Sequence, residues 1–99
     1  MSDRIYHIAL PADLDNARRS GAYRTGSLDT EGFIHCCTQS QLSGVLERYF
    51  ADVDDYEVVE VRIDRLGVGI APVYENTVGG TELFPHIYTE IPLSAIVRS

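Results

Sequence analysis

The chain has 99 residues, 44% of them hydrophobic, with a formal charge of −7 and a pI near 4.7. That is enough for one domain, 1–99, with a thin margin, since a chain this short buries roughly 65% of its unfolded surface. No run approaches the ~20 apolar residues of a membrane span, and the acidic balance argues against non-specific nucleic-acid binding, which depends on neutralising phosphates.

Arg4 to Leu10 alternates as a strand, with Ile5, His7 and Ala9 on one face and Tyr6, Ile8 and Leu10 on the other. Pro11 suits a first helical turn. Pro11 to Ser20 carries Asp13 and Asp15 early and Arg18 and Arg19 late, which complements a helix dipole. Gly21 fits the position just past its end. Ala22 to Gly32 reads as an irregular polar loop around Tyr23. Phe33 to Cys37 is a second strand, with Phe33, His35 and Cys37 on one face and Ile34 and Cys36 on the other. Thr38-Gln39-Ser40-Gln41 is a capping box. Behind it Leu42, Val45, Leu46, Tyr49 and Phe50 form an apolar helical stripe, which predicts Leu46 in the core. Asp52 to Asp55 reads as a solvated turn. Tyr56 to Ile63 has the strongest strand propensity, Val59, Val61 and Ile63 pointing one way and Val58, Glu60 and Arg62 the other. Asp64 to Gly69 is a turn. Ile70 to Asn76 reads as a strand with Pro72 marking an edge. Gly79-Gly80 is a turn, Leu83 to Thr89 is extended but interrupted by Pro85, and Pro92 to Arg98 is a last strand. Two helices in the N-terminal half, then mostly short strands, predict an α+β fold with an antiparallel or mixed sheet.

The opening Met1-Ser2-Asp3-Arg4 lacks the basic region and apolar run of a secretory signal, so a cytoplasmic protein is expected. The basic residues are eight arginines with no lysine. Schiff-base chemistry and a phosphate-loop lysine are therefore excluded, and an anionic ligand must be held by arginine, histidine or backbone N–H groups. Cys36 and Cys37 are adjacent. Neighbours make a strained disulfide, and the spacing matches neither redox nor zinc motifs, so reduced thiols are expected, one of them in the core. Cys37 beside His35 is also a candidate nucleophile.

The three histidines lie in strand-like runs: Tyr6-His7, His35-Cys36-Cys37-Thr38, and Pro85-His86-Ile87-Tyr88. Imidazole titrates near neutrality and serves as acid, base or metal ligand. Strand ends commonly bring such groups into one pocket, and we expect at least two of the three to meet. Each could equally be a separate half-buried histidine with one hydrogen bond. Three histidines and a carboxylate could hold zinc, but no H-x-H or H-x-x-x-H pair is present, and the site is expected to be metal-free.

The runs Tyr6-His7-Ile8, Glu31-Gly32-Phe33-Ile34-His35-Cys36 and Phe84-Pro85-His86-Ile87-Tyr88 resemble the signatures of a bacterial family, domain of unknown function 952. That family is distantly similar to the ADP-ribosyltransferase fold, a split β-sheet cleft that binds NAD and also serves the tRNA 2′-phosphotransferases. The resemblance implies a ribose contact for His7 on the first strand. It places His35 and Thr38 at the second signature and a transition-state carboxylate at Glu75, with Glu90 as the alternative. The expected catalytic set is His7, His35, Glu75 and His86, with Thr38, Tyr88 and Tyr23 binding substrate. NAD enters as a substrate candidate, and the partner is a small molecule or nucleotide. The implied activity is a nucleotide- or NAD-linked transfer or hydrolysis. A non-catalytic binding module is the alternative, and the oligomeric state is open.

Overall fold

Alternation in Arg4–Ala9 (β1) puts Ile5, His7 and Ala9 against the core, each nearly sealed from solvent. The computed structural model describes residues 3–76 and 79–98; Met1 and Ser2, read above for a signal, lie outside them. Pro11–Ser20 (α1) starts on its proline and buries Leu14 and Ala17. It stops where Gly21 turns left-handed, φ 86°, and returns its N–H to the Ala17 carbonyl at 2.7 Å.

The stretch Ala22 to Gly32, expected to be irregular, is ordered. It holds a two-residue strand, Ala22–Tyr23 (β2), and a third helix, Gly26–Thr30 (α2). Five residues are too few to show a helical period. Side-chain bonds accompany the turn instead: Thr25 Oγ1 to Ser27 Oγ at 2.6 Å, and Ser27 Oγ–H to the Phe33 carbonyl at 2.8 Å. The second strand is shorter than expected, Ile34–His35 (β3), but continues as a bridge between Cys37 and Tyr6. A 3₁₀ turn, Gln39–Gln41, leads into Leu42–Tyr49 (α3). Strand β4 is Glu57–Arg62, β5 Val73–Glu75 and β6 Phe84–Ile87. The expected last strand is broken. Ile91–Pro92 (β7) and Ile96–Arg98 (β8) flank a 3₁₀ turn at Leu93–Ala95 and belong to different sheets.

The fold is a small compact α+β domain. Its sheets run in the orders β1-β4-β8, β3-β6-β5 and β2-β7, and every described pairing is antiparallel, so the mixed alternative falls away. Among the described residues, the two three-stranded sheets are bridged at Tyr6 and Cys37, whose N–H groups and carbonyls exchange bonds of 2.7 and 2.8 Å. One apolar cluster fills the space behind them, built from Ile5, Leu14, Tyr23, Ile34, Val59, Val61, Ile87 and Ile91 among others. No described helix is long and apolar enough to cross a membrane.

Helix α3 departs most from the sequence reading. Its stripe has the right period, yet none of its residues is fully buried; Leu42, Val45 and Leu46 are half-covered and Tyr49 is 53% exposed. Leu46 is thus a boundary residue, because β-strands and α1 already close the core without it. Substitution separates the two kinds of position. Ile87→Ala, at a sealed site, should cost on the order of 2–5 kcal/mol, and Leu46→Ala about 1 kcal/mol, measured by urea unfolding. Equal losses would put α3 back in the core.

Candidate functional site

The pairing of β3 with β6 sets Ile34 opposite Ile87 and His35 opposite His86. Because side chains alternate, the isoleucines enter the core and the imidazoles share the outer face. Phe33 and Tyr88 lie on that face. Phe33 stacks on His86 with centroids 4.2 Å apart and planes 22° from parallel. His35 meets both edge-on, at 4.8 Å from Phe33 and 5.2 Å from His86, and Tyr88 tilts against Phe33 at 5.3 Å. Phe33 and His86 are covered; His35 and Tyr88 are about half exposed.

Two carboxylates complete the cluster. Glu75, on β5, accepts on Oε1 from His86 Nδ1–H at 2.9 Å and from the Tyr88 hydroxyl. A carboxylate only accepts, so neutral His86 carries its proton on Nδ1. His86 Nε2 makes no hydrogen bond and is not a completely sealed atom; Arg62 Nε, which faces Asp64 at 3.6 Å, is the one sealed side-chain polar atom without a hydrogen bond among the described residues. Glu75 Oε2 is likewise without a bond. The Tyr88 bond, and after it the His86 bond, hold the Glu75 carboxyl below the usual carboxylate range, and the same bond raises the Tyr88 phenol. Glu31 Oε1 lies 3.1 Å from His35 Nε2.

His7 sits beneath this layer, 6% exposed, with both nitrogens engaged. Nδ1–H donates to the His35 carbonyl at 2.5 Å, so Nε2 is the acceptor of the Tyr23 hydroxyl at 2.7 Å. Burial pushes its pKa down to about 4, and the His35 bond offsets only part of that. Burial, with Asp13 nearby, pushes the Tyr23 phenol up. Tyr23 has no exposed surface and makes a structural bond.

The structure therefore brings together His35, His86, Tyr88 and Glu75 of the expected set. His7 reaches them only through a backbone carbonyl, and Tyr23 only through His7. Thr38 is half-buried, its N–H taken by Gln41 Oε1 at 3.0 Å and its hydroxyl by Ser40 at 3.1 Å. Glu90 pairs with Arg24 at 2.9 Å. The nucleophile reading of Cys37 gives way to a packing one, because both cysteines are buried free thiols and burial pushes Cys37 up to about 11 and Cys36 further. Among the described residues no three histidine, cysteine or carboxylate donors are placed so that they could hold a metal ion. An open apolar hollow between Leu14 and Val97 and a polar one around Arg24 lie elsewhere, and no histidine lines either. The outer histidines form a surface platform. Phe33 and Glu31 were not singled out as site residues from sequence, although alternation had set Phe33 on the face of His35.

Small antiparallel sheets in an α+β domain with an imidazole–carboxylate platform define the class of fold and site. The chain belongs to the family described as Protein of unknown function (DUF952), whose model matches residues 8–99. It is similar to the crystal structure of protein CC0527 from Caulobacter crescentus, with a TM-score of 0.79 and 26% identity over 96% of this chain and 82% of that one. The solution NMR structure of CC0527 gives a TM-score of 0.75 at 26% identity, over 98% and 82%. No curated protein matches the chain.

Two measurements check the site. His7 is kept neutral in the fold, whereas the unfolded imidazole takes a proton below its usual 6.5. The stability it supports is full above pH 6.5 and declines as the pH falls toward 4, by about 3 kcal/mol in total. The slope of unfolding free energy in that window should flatten in His7→Gln. Tyr88→Phe removes the leading cause of the Glu75 shift, so carboxyl-carbon NMR should show Glu75 titrating at higher pH; an unchanged midpoint would assign the shift elsewhere.

Proposed function

We propose that the platform of Phe33, His35, His86 and Tyr88 receives an N-ribosylated pyridinium, NAD being the first candidate, in a split sheet of ADP-ribosyltransferase type. The observation that carries this is Glu75, with Oε1 anchored by two donors and Oε2 open. A carboxylate held ionised in that way can accept a ribose hydroxyl and stabilise an oxocarbenium-like transition state. Ring chemistry supports the same ligand. The cluster has two carboxylates, two imidazoles and two aromatic rings with no guanidinium among them, which suits a cationic ring better than a phosphate. The pyrophosphate would lie outside the platform. The net charge of −7 opposes an anionic nucleotide only at long range, since screening acts over ~8 Å at physiological salt.

In this reading Glu75 meets the ribose, Phe33 floors the platform, and His35 and Tyr88 flank the pyridinium. His7, which the resemblance gives a ribose contact, instead holds the β3 backbone through the His35 carbonyl, as Tyr23 holds His7. Thr38 starts the helix. A cytoplasmic setting goes with the free thiols of Cys36 and Cys37. A non-catalytic binding module is the second reading, favoured by the half-exposed position of Tyr88 and His35.

Titration with NAD, ADP-ribose and a neutral sugar, followed by NMR, tests the ligand. NAD should move His35, His86 and Tyr88 resonances, ADP-ribose should bind more weakly for want of the pyridinium, and the sugar should do nothing. Glu75→Gln should weaken NAD by about tenfold, or about 1.4 kcal/mol. No response to NAD at millimolar concentration would remove the reading.

A further inference from the structure

Two imidazoles share the platform, but their surroundings differ. His35 is half exposed and its Nε2 faces Glu31. His86 is 2% exposed, stacked on Phe33, and its Nδ1–H is bound to Glu75 Oε1. That bond fixes which nitrogen is basic. Nε2 carries the lone pair, makes no hydrogen bond within the protein and is not completely sealed, although the residue as a whole is nearly covered, and the ring cannot turn without losing both the stack and the carboxylate bond. A side chain this well covered that keeps one unpartnered basic nitrogen is built to meet something that is not protein.

We infer that His86 is a general base and that water is the acceptor, so the site hydrolyses an N-ribosyl pyridinium rather than passing the ribosyl group to a macromolecule. This rests on the ligand reading above. The step balances without a co-reactant. The water oxygen bonds to the ribosyl anomeric carbon as the bond from that carbon to the pyridinium nitrogen breaks. The bond's electron pair returns to the ring nitrogen, and the pyridine leaves neutral. The water proton passes to His86 Nε2 and then to solvent. Glu75 serves both ends of the step, Oε1 orienting His86 and Oε2 facing the cationic ribosyl centre. Tyr88 supports it indirectly, since its hydroxyl shares Oε1 and helps hold the carboxylate ionised.

The test uses the purified chain with NAD, comparing the native protein with His86→Gln. Nicotinamide and ADP-ribose are quantified by chromatography, and binding is followed separately through the Tyr88 resonances. The native protein should release the two products in equal amounts, more slowly in D₂O than in H₂O. His86→Gln removes one ring of the platform, so its rate is read at saturating NAD, where it should fall about 100-fold, the scale of a lost general base. NAD binding without nicotinamide release, unequal products, or an unchanged rate in His86→Gln would each overturn the inference while leaving the ligand reading in place. Failure to bind NAD would remove both. Should His86→Gln not fold, the native protein decides: a rate indifferent to D₂O overturns the inference.

Discussion

The arrangement depends on one buried imidazole. His7 donates to the carbonyl of His35 and accepts from Tyr23, which ties β1 to β3 and to β2 at a single ring. These bonds span the place where the sheet divides, beside the Tyr6–Cys37 bridge that joins β1 to the β3 segment. A buried polar group without partners is costly, and here neither nitrogen lacks one. The neutral form is required, because a second ring proton would leave the Tyr23 hydroxyl with nothing to donate to.

Above that ring the polarity is arranged in layers. The inner layer is sealed and chemically quiet, consisting of His7, Tyr23 and two thiols held protonated by burial. The outer layer is wet and charged, with Glu31, His35, Tyr88 and Glu75 at its rim. Phe33 and His86 form the boundary, since each is covered yet touches the exposed rings. The inner layer fixes the position of β3, and β3 carries His35 opposite His86.

Much of this was legible in the residues and some was not. Alternation announced which residues share a face in β1 and β3 and which face of β4 is wetter, and the proline start and glycine stop of α1 were read from the residues. The meeting of His35 with His86 does not follow from local pattern, because it depends on strand register between segments far apart in the chain. The inward role of His7 was hidden for a related reason. A histidine between Ile5 and Ala9 announces a buried face, but its partners Tyr23 and His35 come from a loop and a strand whose placement is tertiary. The stripe of α3 misled, because periodicity reports which face is apolar and not how completely a neighbour covers it. Strand β8 could not be separated from β7, since the step between sheets occurs over three ordinary residues.

Pro85 occupies the middle strand of the β3-β6-β5 sheet, a position that proline seldom takes. Its carbonyl accepts the Cys36 N–H at 3.1 Å, but its ring nitrogen has no hydrogen to return on that side. The seam between β3 and β6 therefore lacks one rung, and the packed rings of Phe33, His35 and His86 lie beside the weakened place. Local opening of this domain should begin along that seam, with its amides exchanging hydrogen ahead of those between β1 and β4. A molecule that settled on the rings would close the seam, so occupancy and breathing are two ends of a single equilibrium.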